Sequence, residues 1–510
     1  MAVDDLRENF HINRILPFEL QDFLTAQTYR PDITIAYQKI YDLPNKTLQK
    51  LCASRIQQGS TPIYSDKGPL CLKSKQVGEV VISEFTDTYV NEEWAKKNLK
   101  SKVSTGDVLL TRQGTGTIGR AGIYFGSGAY TNDSLFKISI DQADSAYVCA
   151  FLNTYTGQRL IEKGVYGSTG QLNLSVEHVK MLPVPVFDQQ VQKYIGNKVR
   201  QAEQLRTWAK STQQKASQLL PAYSNEIQRY EAKSYRAAKL IPARLDSLFY
   251  HPDYIALEDK MKAKGCKRLG LITKQVKNVW DKKKAETFEY YEIGGLDITT
   301  GQLTSATTPT TDAPSRAKTK VQQGDVLVST VRPNRKNIGF IVDNVTSSEM
   351  VATSGFSVLR FLSLQQAAFY HAWLRTDDST AQLMRWNSGS AYPAIDDDVP
   401  LNIIIPDFDK AFVDSWGQKL LDAQFAYVYA KLLTEAAKNL VEALIEGQLT
   451  EQQLIQTQQA FEDGDTSLDQ AILSKLSSEG YAVEDATPLF SDVEELYRLL
   501  ESAAQAEVEE

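Results

Sequence analysis

The sequence predicts an α+β protein made of two pseudo-repeated globular units, two long antiparallel helices and an acidic helical C-terminal tail. Three observations predict it: a repeat with a spacing of about 220 residues, one heptad pattern written twice in the same register, and a charge imbalance confined to the last sixty residues. The repeat is read first, because it fixes the architecture. Tyr29, Pro31 and Asp32 recur as Tyr250, Pro252 and Asp253, an offset of 221. Gly106-Asp107-Val108-Leu109 recurs as Gly324-Asp325-Val326-Leu327 (218), Ile118-Gly119 as Ile338-Gly339 (220), and Gly167-Ser168 as Gly389-Ser390 (222). Pro185, Phe187 and Asp188 recur as Pro406, Phe408 and Asp409, again at 221.

The helices follow from periodicity. Val191, Ile195, Ala202, Leu205, Ala209, Ala216 and Leu219 fall on alternating steps of four and three, with Lys198 and Thr212 in the gaps. Phe412, Trp416, Ala423, Ala426, Ala430, Leu433, Ala437, Leu440 and Leu444 repeat the pattern, and Lys419 matches Lys198. A heptad seam buries its a and d residues against a partner helix, and the small residues here let two helices approach closely. The shared register favours an antiparallel pair over two independent amphipathic helices. Such a helix of ~38 residues would be ~57 Å long at ~1.5 Å per residue, a ruler between two globular units. The expected boundaries are 1–187 and 236–408 for the globular units, 188–235 and 409–450 for the helices, and 451–510 for the tail.

A chain of 510 residues exceeds one ordinary core, and 42% hydrophobic with 23% charged residues is a soluble globular composition. The opening MAVDDLRENF does not read as a signal peptide. No apolar run approaches the ~18 residues of a membrane helix. Cys52, Cys71, Cys149 and Cys266 are scattered, which predicts reduced thiols in a cytoplasmic protein. The net charge of −7 is uneven: residues 451–510 hold 15 Asp/Glu and 2 Lys/Arg, leaving 54 Lys/Arg against 48 Asp/Glu elsewhere. The first 450 residues are therefore mildly basic, which permits DNA binding. The tail, with amphipathic stretches around Leu468–Leu476 and Val493–Leu500, is expected to dock on a partner or to mimic DNA charge near a basic surface, against a solvated tail with short helices.

Inside each globular unit, Val108-Leu109-Leu110 and Val326-Leu327-Val328 read as short buried strands after a Gly-Asp turn. Ile123-Tyr124-Phe125 and Phe340-Ile341-Val342 read as the next strands. Polar loops lie between: Arg112, Gln113 and Thr115 in one half, Arg332, Asn334, Arg335 and Lys336 in the other. A second loop pair supplies Ser168, Thr169 and Gln171, and Asn387, Ser388, Ser390 and Tyr392. Their hydrogen-bonding types suit base edges and phosphates, as they also suit ordinary solvated loops.

These segments resemble the specificity subunits of Type I restriction–modification enzymes. The resemblance rests on Gly106–Arg112 and Gly324–Asn334, on Pro69–Lys75, on Arg244–Pro252, and on the Pro183/Pro185 and Pro406 exits into the long helices. It implies two target-recognition domains that each read one half of a bipartite asymmetric site in double-stranded DNA, with the helices as spacer. It adds Lys73, Ser74 and Lys75 to the DNA-binding candidates. It implies two adenine-N6 methyltransferase subunits as partners, and restriction subunits in the full enzyme. S-adenosylmethionine, ATP and magnesium would belong to those partners, with no cofactor in this chain. Leu20-Gln21-Asp22-Phe23 stands where the second repeat has Pro242-Ala243-Arg244-Leu245, and the acidic tail lies outside the family pattern.

Other chemistries are read and set aside. Gly114, Gly116 and Gly119 fit GxGxxG, but a dinucleotide site needs a helix next, and Arg120–Phe125 reads as strand. Pro252-Asp253…Glu258-Asp259-Lys260 resembles a nuclease cluster, yet its spacing is too short to spread carboxylates around a metal. No Asn-Pro-Pro-aromatic motif or Walker lysine occurs, and His11, His178, His251 and His371 are isolated. The expected protein is thus a non-catalytic DNA reader. The alternatives are a coiled-coil scaffold of another DNA-modifying defence complex, and an unrecognised nuclease or methyltransferase.

Overall fold

The computed structural model describes residues 26–82, 86, 88–114, 116–167, 172–224, 244–343, 348–388 and 392–509. The chain forms two compact units, one of residues up to Gln204 together with Tyr429–Val508, the other of Leu205–Val428. Both mix helices and sheets, as the sequence predicts.

The first unit holds a five-stranded sheet in the order Gln57–Gln58, Leu135–Ile138, Val108–Thr111, Ala121–Ile123, Val80–Val81. A four-stranded sheet runs Tyr89–Val90, Tyr64–Leu72, Ala129–Thr131, Lys102–Val103. In the second unit the corresponding sheets run Lys274–Gln275, Phe356–Arg360, Val326–Ser329, Ile338–Phe340, and Ala306–Pro309, Thr287–Tyr291, Glu349–Thr353, Ala317–Lys320. The registers repeat with the sequence. Leu135 pairs with Thr111 as Phe356 pairs with Ser329, and Lys46 pairs with Val184 as Lys267 pairs with Ile405. Strands this apolar are buried throughout: Val108–Thr111 and Val326–Ser329 have no exposed residue.

The Gly-Asp pair that reveals the repeat is turn chemistry. Gly106 (φ 88°) and Gly324 (φ 84°) occupy left-handed backbone that glycine adopts most cheaply. The aspartate closes the turn behind it: Ser104 N–H donates to Asp107 at 2.8 Å and Gln322 N–H to Asp325 at 2.9 Å.

The long helices are Gln189–Leu219 and Lys410–Ile445, of 31 and 36 residues. The division between the units falls inside both. The early half of the first helix shares a unit with the late half of the second, and the converse holds in the other unit. That is the arrangement of an antiparallel pair. The alanine seam is buried at Ala202, Ala209, Ala216, Ala423, Ala430 and Ala437. Tyr427 donates from its hydroxyl to the Gln213 side chain at 3.3 Å, and Gln213 and Gln424 both donate to the Thr300 carbonyl at 3.1 Å. A glycine recurs at the same repeat position on each helix, against a residue of the same unit. A methyl at Gly196 would overlap the Asp144 carboxylate, and one at Gly417 the Gln365 carbonyl, and these two neighbours are themselves 221 residues apart. The part of the first helix expected between 225 and 235 lies outside the described residues.

The acidic C-terminal segment folds onto the first unit. Helices Glu451–Glu462, Ser467–Leu473 and Val493–Glu509 and a hairpin of Leu476–Ser477 with Gly480–Tyr481 bury Leu454, Leu473, Leu476, Leu496 and Leu499. Asp469, 1% exposed, receives the Lys198 ammonium at 2.6 Å, the Tyr194 hydroxyl at 2.5 Å and the Tyr497 hydroxyl. Further bonds run from the Asn439 side chain to the Ser477 carbonyl (2.8 Å) and from the Tyr429 hydroxyl to the Asp492 carbonyl (2.8 Å). The docking partner of this segment is therefore the chain itself. Its seam lysine is explained too: Lys198 is a buried cation matched by a buried anion.

Candidate nucleic-acid interface

In the second unit, strand Val326–Ser329 delivers the chain into a strained loop. Arg332 (φ 52°) and Lys336 (φ 54°) both adopt left-handed backbone, flanking a single turn Pro333–Arg335. Long side chains adopt this region at a cost of order 1–3 kcal/mol each, sustained only when the surroundings enforce it. The enforcement comes from the second loop. Val331 bridges to Ala394, Arg332 N–H donates to the Pro393 carbonyl at 2.7 Å, and Ile395 N–H donates to the Thr330 carbonyl at 2.9 Å. Ser388 closes the far side by bridging to Ala394, and the Asn387 side chain accepts from Ala394 N–H at 3.0 Å. Behind them Arg244 donates to the Trp386 and Asn387 carbonyls at 2.8 Å each.

The result is one surface from two loops. The Arg332 guanidinium lies 4.7 Å from the centre of the Tyr392 ring, and that ring is 68% exposed. A guanidinium held on an aromatic face keeps its N–H edges outward and loses little freedom on binding. Asn334 and Arg335 are exposed beside it, while Lys336 pairs with Asp377 at 2.7 Å. Asn387 is buried, so its side chain shapes the loop from within. Ser390 lies outside the described residues.

The first unit repeats the junction with different side chains. Gln113 bridges to Asn173, at offsets of 218 and 221 from Val331 and Ala394. Leu174 N–H donates to the Arg112 carbonyl, and Arg112 N–H donates to the Ser134 carbonyl, both at 2.9 Å. The Arg112 guanidinium reaches the Asp133 carbonyl at 3.3 Å. Ser74 sits against Gly114, so the turn Ser74–Gln76 joins this loop, and Lys75 is exposed on it. Lys73 lies 4.4 Å from the centre of the Tyr64 ring, which is half exposed. Thr115, Ser168, Thr169 and Gln171 lie outside the described residues.

Sequence reasoning missed Tyr64 and Asp377. Neither belongs to a repeated motif or to the loop it supports, and only folding brings them there. The set-aside motifs have structural roles. Gly119 is followed by strand Ala121–Ile123, with no helix at its end to meet a pyrophosphate. Glu258 pairs with Arg385 and, at 3.0 Å, with Lys262 on helix Pro252–Ala263. Among the described residues no group of three or more His, Cys, Asp or Glu could hold a metal ion, and no helix is long and apolar enough to cross a membrane. All four cysteines are free, with burial pushing the Cys71 thiol up to about 11.

No protein-family profile and no curated protein matches this sequence. Solved structures do. The S subunit of a Type I restriction–modification system from M. genitalium matches at 14% identity, covering 81% of this chain and 95% of that one, with a TM-score of 0.34. The HsdS subunit from Thermoanaerobacter tengcongensis matches at 13% identity, covering 79% and 97%, with a TM-score of 0.24. A chain from a study of complex assembly and conformational transition in the type I R-M system matches at 12%, covering 80% and 99%, with a TM-score of 0.26.

Proposed function

We propose that this chain is the non-catalytic specificity subunit of a DNA modification system. Each globular unit reads one half of a bipartite, asymmetric site in double-stranded DNA, and the chain directs adenine-N6 methyltransferase and restriction partners to it. One observation carries the reading: the same two-loop junction is built in both units at the repeat offset, on matching strand ends, with different polar side chains on it. A scaffold that bound only protein would have no need of two such hydrogen-bonded polar junctions that differ from each other. A reader of two unlike half-sites needs that arrangement.

The test is methylome sequencing of cells that carry the chain with its methyltransferase. Replacing Arg332, Asn334 and Arg335 together with Ala should degrade one half of the modified site, because an arginine reading guanine contributes ~1–3 kcal/mol of discrimination. Replacing Arg112 and Gln113 should degrade the other half. Methylation by the chain alone, or equal loss at both halves from either variant, overturns the reading.

A further inference from the structure

The two units differ in the connection that leads from the first sheet into the second. In the first unit it is Gly59-Ser60-Thr61-Pro62-Ile63, between strands Gln57–Gln58 and Tyr64–Leu72, and it carries no charge. Neutral groups hold it: Ser60 N–H donates to the Ser101 hydroxyl at 2.7 Å, and Trp94 Nε1–H to the Thr61 carbonyl at 3.0 Å. In the second unit the same connection is residues 276–286, between Lys274–Gln275 and Thr287–Tyr291, and it brings Lys277, Lys282 and Lys283. It runs along the edge strand Ala317–Lys320, where Trp280 N–H donates to the Lys318 carbonyl at 2.7 Å and Lys320 N–H to the Asn278 carbonyl at 2.9 Å. The buried Trp280 ring, 4.3 Å from that of Phe288, fixes it there, and Lys282 reaches the Ala313 carbonyl at 3.4 Å. Lys277, Lys282, Lys283, Arg316 and Lys318 are thereby gathered on one edge. All five are exposed, and among the described residues none pairs with a carboxylate, whereas Lys320 beside them pairs with Glu349 at 2.6 Å.

This edge adjoins the loop junction through consecutive backbone bonds. Ser354 N–H donates to the Arg316 carbonyl at 2.8 Å, the next carbonyl, of Gly355, accepts from Thr330 N–H at 2.9 Å, and the Thr330 carbonyl accepts from Ile395 N–H at 2.9 Å. The wider charge balance points the same way. Leu205–Val428 hold 29 Lys/Arg against 24 Asp/Glu, whereas Met1–Gln204 with Tyr429–Val508 hold 27 against 37, because the acidic segment folds onto the first unit. We propose that the edge formed by Lys277, Lys282, Lys283, Arg316 and Lys318 is a phosphate-binding site that holds DNA without regard to sequence. The second unit thus anchors the duplex, and the first engages it chiefly through its reading loops. The proposal rests on the reading above in taking the polyanion to be DNA. Four of the five cations are ammonium groups, close to point charges, which register phosphate and not base identity. A polyanion is drawn to the unit of opposite charge and repelled by the other, most strongly at low salt.

The experiment is fluorescence anisotropy of the full chain with a labelled duplex of random sequence, titrated between about 50 and 200 mM salt. Each phosphate contact contributes about 0.9 to the slope of log affinity against log salt. Replacing Lys282, Lys283 and Lys318 together with Gln should therefore make the slope shallower by about 2–3, with unchanged thermal unfolding, since all three side chains face solvent. The equivalent edge of the first unit supplies the control: Lys97, Lys100 and Lys102 are exposed there too, near Glu92 and Glu93, and their replacement with Gln should change the slope by less than about 1. Methylome sequencing of cells carrying the first triple variant with the methyltransferase should return the unaltered site at lower occupancy. An unchanged slope in that variant, an equal change from the control, or an altered site sequence each overturn the proposal while leaving the reading above in place. A wild-type chain that binds no duplex at any of these salt concentrations, alone or with the methyltransferase, overturns both.

Discussion

The two globular units share strand order, register and turn chemistry, yet the shared residues are mostly not the ones that face outward. Gly106-Asp107 and Gly324-Asp325 serve turns, Gly196 and Gly417 serve helix contact, and the alanine seams serve helix pairing. The differences sit at the loop junctions and on the helix faces. Duplication kept the parts that hold the fold, and divergence collected where a side chain can meet something else. Four pairs of equivalent positions separate the units by measurable amounts.

The largest contrast lies at the equivalent lysines. Asp469→Ala would leave Lys198, 3% exposed, as an uncompensated buried cation. Removing one partner of such a pair costs about 3–5 kcal/mol. Lys419→Ala, on an open face, should stay within about 0.5 kcal/mol. Chemical denaturation of the two variants measures both, and equal effects would mean that the faces are not different environments.

The second contrast is with acid. His371 is fully buried in the second unit, its Nε2–H donating to the Ile338 carbonyl at 3.2 Å, and burial with the nearby Arg375 cation holds it down to about 3. Its folded value lies below its unfolded one, so the unfolded state binds the extra proton first. The stability it supports is present above about pH 6.5 and is lost as pH falls towards 3, with a slope approaching ~1.4 kcal/mol per unit. Five of the six tryptophans (all but Trp94) fall in the second unit, so tryptophan fluorescence reports on it. Between pH 6.5 and 5 the stability reported by that signal should fall by about 1.6 kcal/mol. His371→Gln should flatten the dependence; an unaltered slope would remove His371 from the account.

These contrasts also show how much was legible. Sheets and helices were, because each repeat checks the other: a lysine at 198 in an apolar seam is odd once and informative when matched at 419. The loop candidates were legible as positions, because Arg112 and Arg332 follow a readable turn and strand. Their settings were not. The left-handed backbone at Arg332 arises from hydrogen bonds to Pro393, sixty-one residues on, and no local pattern encodes it. The C-terminal segment was read by its charge, which dominates the composition. The stretches Leu468–Leu476 and Val493–Leu500 were legible as amphipathic, but that their leucines, Leu473, Leu476, Leu496 and Leu499, are buried on this chain's own first unit was not.

The third contrast is steric. A methyl at Gly417 meets the Gln365 backbone carbonyl, which cannot move without shifting the start of helix Leu364–Leu374. Overpacking of this kind costs about 1–3 kcal/mol, offset in part by alanine's better helix propensity. A methyl at Gly196 meets the Asp144 side chain, which caps helix Ser145–Leu152 through Ala146 and Tyr147 N–H at 2.9 and 3.0 Å. That side chain can swing away, losing a cap of about 1 kcal/mol. Gly417→Ala should therefore destabilise more than Gly196→Ala in thermal unfolding; the reverse order would mean that the helix shifts more easily than the cap.

The smallest expected effect separates the two loop junctions by the aromatic ring beneath each cation. Tyr392 carries Arg332, and Tyr64 carries Lys73. An exposed cation–π contact is worth about 0.5–1 kcal/mol, or a two- to fivefold change in affinity if the bound geometry depends on it. Tyr392→Ala frees the guanidinium without deleting it, so DNA affinity should fall by about that factor while stability stays within ~0.5 kcal/mol. Tyr392→Phe keeps the ring face and should restore affinity, since the stack needs no hydroxyl. If phenylalanine fails where tyrosine succeeds, the hydroxyl itself meets DNA and the ring is a reader, not a platform. Arginine's planar fork uses a platform to fix its direction, whereas the ammonium of Lys73 is close to a point charge that needs none. Tyr64→Ala should accordingly leave binding of all sequences nearly unchanged, and Tyr392→Ala should weaken the preferred half-site most. Competition binding with DNA altered in one half at a time distinguishes them, and identical profiles for the two variants would erase the difference between the junctions.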